Sequence, residues 1–152
     1  MHSATLPNAM SILRGILSVV AGYVFTGVVV VALTLAIQPF LPDELDALRG
    51  AQVWPWRGLM LAYSAAAAVA GGYLTALLAH RAPVAHATAL GALILAIGVA
   101  TTVVERERVP VGFNVTLAVV GGFGAAVGGH LRSARTGPSA QSRLPREQLP
   151  LR

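Results

Sequence analysis

Asp, Glu, Lys and Arg are absent from four stretches of the chain, residues 15–42, 58–80, 82–104 and 109–131, which are 28, 23, 23 and 23 residues long. A helix crosses the hydrocarbon of a bilayer with about 20 predominantly apolar residues, and lipid admits only backbone whose hydrogen bonds are closed internally. The pattern therefore predicts an all-α protein, a four-helix transmembrane bundle with spans at about 16–37, 58–79, 84–104 and 111–131. Residues 1–14 form an N-terminal tail on this reading, residues 15–132 the membrane domain, and residues 133–152 a tail of Arg, Pro, Ser and Gln without periodicity, a composition that predicts disorder.

The first span is rich in β-branched residues, with Val28 to Val31 unbroken. In water such a run favours a strand, whereas between these flanks it reads as a membrane helix. A secretory signal peptide is the rival reading of this region, but its apolar core should be only about 7 to 15 residues long. Met10 begins Met-Ser-Ile-Leu-Arg directly before the span, so the first nine residues read as a dispensable tail or a misplaced start.

The connectors differ in length. Residues 38–57 form the longest, in which Asp43, Glu44 and Asp46 followed by Arg49 and Gly50 predict a short acidic helix stopped by glycine. Trp54 and Trp56 stand before the second span, where indole rings anchor at headgroup level. His80-Arg81-Ala82-Pro83 is a short turn that predicts antiparallel neighbours, and Glu105-Arg106-Glu107-Arg108 joins the last two spans.

Composition agrees with a lipid solvent. The chain of 152 residues is 55% hydrophobic and 11% charged, with mean hydropathy +0.69; a soluble domain carries about 25% charged residues. There is no cysteine, which excludes disulfides, thiolate metal sites and cysteine nucleophiles. The net charge of +5 comes from eleven arginines without a lysine, and its clustering near headgroups calls for no nucleic-acid partner. With both termini cytoplasmic, the inner segments hold Arg14, Arg81, Arg132, Arg135, Arg143, Arg146 and Arg152, against Arg49, Arg57, Arg106 and Arg108 outside. The last three of the inner set lie at or beyond the reach of the positive-inside rule, which leaves four against four. The expectation is an integral, multi-pass inner-membrane protein with both ends inside.

One internal pattern stands out. A shift of fifty residues lays Ala68-Val69-Ala70-Gly71-Gly72-Tyr73 on Ala118-Val119-Val120-Gly121-Gly122-Phe123. At i+4 spacing the second span shows Ser64, Ala68, Gly72, Ala76 and His80, and the fourth shows Asn114, Ala118, Gly122, Ala126 and His130. Small residues at this spacing let helix backbones approach, so both rows are expected at helix-packing positions inside the bundle, with Gly72 meeting Gly122. Val24, Val28, Val31 and Leu35 of the first span suit acyl chains instead. The match is either a parallel two-hairpin duplication or the chance identity that alanine-rich membrane chains produce.

Candidate chemistry is sparse. His80, His86 and His130 fall at inner helix ends and a bundle could gather them into a metal or proton site; the alternative is that His80 and His130 favour the dipoles of helix C-termini at a wet interface. Ser64 has no histidine or lysine at its depth to serve as a base. The mid-span hydroxyls and Asn114 are expected to bond between helices, and the Gly-Gly pairs lack the strand and lysine of a phosphate loop. No catalytic residue, cofactor or metal is assigned.

At Gly71-Gly72-Tyr73-Leu74-Thr75-Ala76, then His86 after a short turn and Gly91 in the next span, the chain resembles small four-span bacterial inner-membrane proteins of uncharacterised function. The resemblance covers about residues 68–91 and implies a four-helix bundle in the inner membrane, with no activity attached. The leading expectation is a non-enzymatic structural or assembly component that packs through Gly/Ala helix faces against a membrane-protein partner or a second copy of itself. The alternative is a small oligomeric transporter or channel subunit lined by Tyr63, Ser64, Asn114 and Thr116. Its surroundings are the lipid bilayer, and nucleic acid is not expected.

Overall fold

The computed structural model describes residues 9–40, 54–79, 82–104 and 110–136. They form four helices, α1 (Ala9–Ile37, followed by a 3-10 turn at Gln38–Phe40), α2 (Trp54–Leu78), α3 (Pro83–Val104) and α4 (Val111–Thr136). All four are long and apolar enough to cross a membrane. The expected acidic helix near Asp43 to Gly50, His80, Arg81, the Glu105–Arg108 connector and the C-terminal tail beyond Thr136 lie outside the described residues.

Two ends depart from expectation. α1 begins at Ala9, inside the region read as a tail, and α4 continues to Thr136, so Arg132, Ser133 and Arg135 are helical. The cause is local: no proline or glycine interrupts residues 8–14 or 130–136, and Ala, Met, Leu and Arg are good helix formers. A helix passes from hydrocarbon into the headgroup region without a break when nothing in the sequence stops it. α3, by contrast, starts sharply, because Pro83 occupies its first position, where a missing N–H costs nothing. Ala82 before it takes a left-handed φ of 48°, which a glycine would adopt without a Cβ clash.

Contact points give the directions. Gly22 and Thr26 meet Thr75 and Gly71, and Thr34 meets Tyr63, so α1 and α2 are antiparallel. Gly98, Gly91 and Ala87 meet Ala118, Gly122 and Gly129 in turn, so α3 and α4 are antiparallel. Ala65 and Ala68 lie by Gly124, and Val69 and Tyr73 by Gly128, so α2 and α4 run parallel. α1 touches α2 and α3, α4 touches the same two, and α1 and α4 do not meet. The section is a rhombus with α1 and α4 at its far corners.

The interior is made of small residues. Ala67, Ala68, Ala76, Ala87, Ala118 and Ala125 are buried, and the largest fully buried side chains are Leu90 and Thr75. Val, Leu, Ile and Phe dominate the exposed surface. Lipid is as apolar as leucine, so nothing drives large side chains inward; close backbone packing and hydrogen bonds hold the helices instead.

Candidate functional site

Among the described residues, the closest glycine contacts with neighbouring backbone line the seam where α4 enters between α2 and α3. A Cβ on Gly72 would run into the backbone of Ala125, one on Gly128 into the Val69 carbonyl, and one on Gly91 would stand 2.5 Å from the Gly122 carbonyl oxygen. Gly124 lies against Ala68, and Gly129 against Ala87. Glycine is required at the first two by space, since backbone cannot swing aside as the end of a flexible side chain can.

The two small-residue rows take distinct partners. Ser64, Ala68, Gly72 and Ala76 are buried, and so are Ala118 and Gly122, while Asn114 and Ala126 are half-buried. Gly72 and Gly122 do not meet. Gly72 lies against Ala125, three residues past the position that the fifty-residue shift pairs it with, whereas Gly122 faces Leu95 and Gly91 of α3. The reason is helix pitch: an i+4 row creeps around a helix of 3.6 residues per turn by about 40° per step, so four members span about 120° and cannot all face one neighbour. α4 solves this with adjacent small residues, Gly124, Ala125 and Gly128 toward α2 and Ala118, Gly122 and Gly129 toward α3.

Both ends of the α2–α4 pair carry a cation over a ring. The Arg57 guanidinium lies 5.5 Å from the centre of the Phe113 ring, and that of Arg135 lies 5.9 Å from the Tyr73 ring. Contacts of this type contribute about 0.5–1 kcal/mol at exposed sites. Sequence reasoning missed them, because the partners are far apart in the chain.

It also missed the glycines of α1. Gly22 and Gly71 each direct a carbonyl oxygen to 3.0 Å from where the other's Cβ would be, Thr26 and Thr75 flank them, and Gly15 supports the His86 ring. The signal was present as Gly15, Ser18, Gly22 and Thr26, at the i+3/i+4 spacing of one helix face. Val24, Val28, Val31 and Leu35 are exposed on the opposite side.

Most span hydroxyls bond back into their own helix. Ser18 donates to Gly15, Thr26 to Gly22, Thr75 to Gly71 and Thr102 to Gly98, at 2.7–2.9 Å. Thr34 donates to the Val30 carbonyl and therefore accepts from the Tyr63 hydroxyl, 2.9 Å away, which leaves this as an α1–α2 bond. Thr116, expected with Tyr63, Ser64 and Asn114 as a pore lining, is exposed and donates to Gly112. Ser64 Oγ and Asn114 Nδ2 are enclosed and have no hydrogen-bond partner among the described residues.

Of the three candidate histidines, His86 is half-buried, with Nδ1 3.0 Å from the Ala82 carbonyl oxygen and Nε2 toward Gly15; His130 is exposed on α4, and His80 lies outside the described residues. Among the described residues no three His, Asp or Glu side chains come together as a metal site. No known protein family, curated protein or solved structure matches the chain.

Proposed function

We propose that this multi-pass membrane protein is a non-enzymatic structural or assembly component of a bacterial inner membrane, with both termini cytoplasmic. The observation that carries the reading is the seam of Gly72, Gly91, Gly124 and Gly128 against neighbouring backbone: the interior is given over to holding four spans together. Those glycines are occupied within the chain, so a partner needs another face. α2 leaves a second small-residue row exposed, Gly58, Ala62, Ala66 and Ala70, with open space at Gly58. Such a row admits a helix of another subunit, whether a second copy or a different membrane protein. The two-hairpin duplication belongs to this reading, with α1–α2 and α3–α4 as its units.

The test is co-purification and mass measurement after mild detergent extraction. A stable complex that dissociates in Ala66→Leu supports the proposal; a monomer without partner in native and variant protein alike refutes it. Reporter fusions after Arg135 and within the α1–α2 connector decide the orientation: an outside-only reporter should be silent at the first site and active at the second.

The second reading, a subunit of a small oligomeric transporter or channel, is favoured by the enclosed, unpartnered Ser64 Oγ and Asn114 Nδ2. Solute flux in proteoliposomes that falls in Ser64→Ala or Asn114→Leu would select it over the first.

A further inference from the structure

The two ends of the bundle differ in charge. The end formed by the start of α1, the end of α2, the start of α3 and the end of α4 carries Arg14, Arg132 and Arg135 with His86 and His130. The described residues of this end, 9–14, 79, 82–86 and 130–136, contain no carboxylate. At the opposite end the described residues carry Arg57 as their one charged side chain, and in sequence the connectors 38–57 and 105–110 hold five carboxylates against four arginines.

These arginines also emerge from an apolar outer surface. Arg14 is exposed on α1 beside Leu13, Ile16 and Leu17, each more than half exposed, and Arg135 follows the exposed Val127 and Leu131 on α4. A ligand suited to this arrangement presents acyl chains along the helix and an anion at its end. We propose that this rim binds anionic phospholipids, through Arg14 at one place and through Arg135, supported by Arg132, at another. Two places are required because α1 and α4 do not meet, so one headgroup does not bridge them. Each corner has a fixed framework: His86 packs on Gly15 next to Arg14, and the Arg135 guanidinium lies over the Tyr73 ring. An acidic protein or nucleic acid would account for the charge and leave the adjoining apolar faces unexplained.

The experiment uses the full chain in nanodiscs of equal phosphatidylglycerol and phosphatidylcholine, released and weighed by native mass spectrometry. Two phosphatidylglycerols should be retained in preference to phosphatidylcholine. Arg14→Gln and Arg135→Gln should each weaken retention of one, by about fivefold for the loss of one arginine near a charged leaflet, and the double variant should lose both. Arg57→Gln at the opposite end should retain lipid as the native chain does. Arg14→Lys and Arg135→Lys keep the charge and should retain it as well, which separates lost charge from lost fold. Equal retention of the two lipids, the same loss in Arg57→Gln, or loss in the lysine variants would overturn the proposal. Displacement of both lipids by soluble glycerol phosphate would overturn it too, by showing a site for free phosphate in which acyl chains play no part.

Discussion

α1 and α4 occupy equivalent corners of the rhombus and touch the same two neighbours, yet they are held differently. α4 presses glycine against backbone on both sides, at Gly128 with Val69 and at Gly122 with Gly91. Of the three glycines in α1, Gly22 alone meets backbone, at Gly71, and the helix is further held by hydroxyl groups, the His86 ring and the Tyr63–Thr34 bond. The difference runs through all four spans. In order of falling hydropathy, α1, α3, α4 and α2, the buried share of each span's most apolar stretch rises through 11%, 22%, 33% and 44%. Apolarity here marks what faces lipid, and small residues mark what is buried. A soluble bundle shows the reverse, because water drives its large apolar side chains inward.

If α4 is held by backbone contact, the largest loss should follow from a side chain placed there. Gly72→Leu would force α2 away from the Ala125 backbone, which has no rotamer with which to yield, at about 3 kcal/mol or more by analogy with overpacked cores. Insertion should persist, since the span stays as apolar. Unfolding in mixed micelles of increasing denaturing detergent measures it, and a variant as resistant as the native protein would mean that the seam is not what holds α4.

The spans were legible in the sequence because lipid imposes a rule that is read from charge alone: some twenty residues without an ion. The helix ends were less so. Ser133 and Arg135 read as the start of a polar tail, and nothing local distinguishes an arginine that lies beyond a helix from one that continues it into the headgroups. Gly72 and Gly122 were recognisable as packing residues by type, but their partners were not. An internal match compares identities, whereas contact depends on the angle around the helix, and the run Gly121-Gly122-Phe123-Gly124-Ala125 offers small residues to two neighbours at once. The contribution of α1 was hidden for the opposite reason, since its valines and leucines drew the eye from the single face of Gly15, Ser18, Gly22 and Thr26.

The same substitution on α1 meets softer neighbours. Gly22→Leu would meet the Thr75 hydroxyl and Leu90 as well as the Gly71 carbonyl, and two of these are side chains able to shift. The cost should be roughly 1 to 3 kcal/mol and should fall on the docking of α1, leaving α2, α3 and α4 together. The chain has no cysteine, so Ser18→Cys supplies one thiol at a site only 2% exposed. Its reaction with a membrane-permeant maleimide should be slow in the native background and fast with Gly22→Leu. Slow labelling in both would show that α1 stays docked without its glycine contact.

A smaller effect tests the hydroxyl that α1 shares with α2. Tyr63→Phe removes a donor to Thr34 while Thr34 keeps its own bond to Val30, so no new unsatisfied donor results. Hydrogen bonds between membrane helices contribute about 0.6 kcal/mol on average. A double-mutant cycle with Thr34→Val should return a coupling of that size. Coupling indistinguishable from zero would show that the bond adds nothing to the packing of Gly22 and Thr26 on Gly71.

The smallest effect is expected where the chemical change is as large as any above. Gly27 lies on α1 one turn beyond Gly22 and Tyr23, but a Cβ there would meet nothing within 4 Å, and the position is exposed. Gly27→Leu adds the same four carbons as Gly72→Leu and Gly22→Leu and directs them away from the bundle. Neighbouring Val24 and Val28 already occupy that surface with more than half of their area exposed, so leucine joins side chains of its own kind. Stability should remain within about 0.5 kcal/mol of the native protein, as at other surface positions. Unfolding in mixed micelles and the Ser18→Cys labelling rate both read it on the same scale as the two buried glycines. If Gly27→Leu loosened the bundle as Gly22→Leu does, another helix must cover that face, and the division between small buried faces and large lipid-facing ones would fail on the span where it is sharpest.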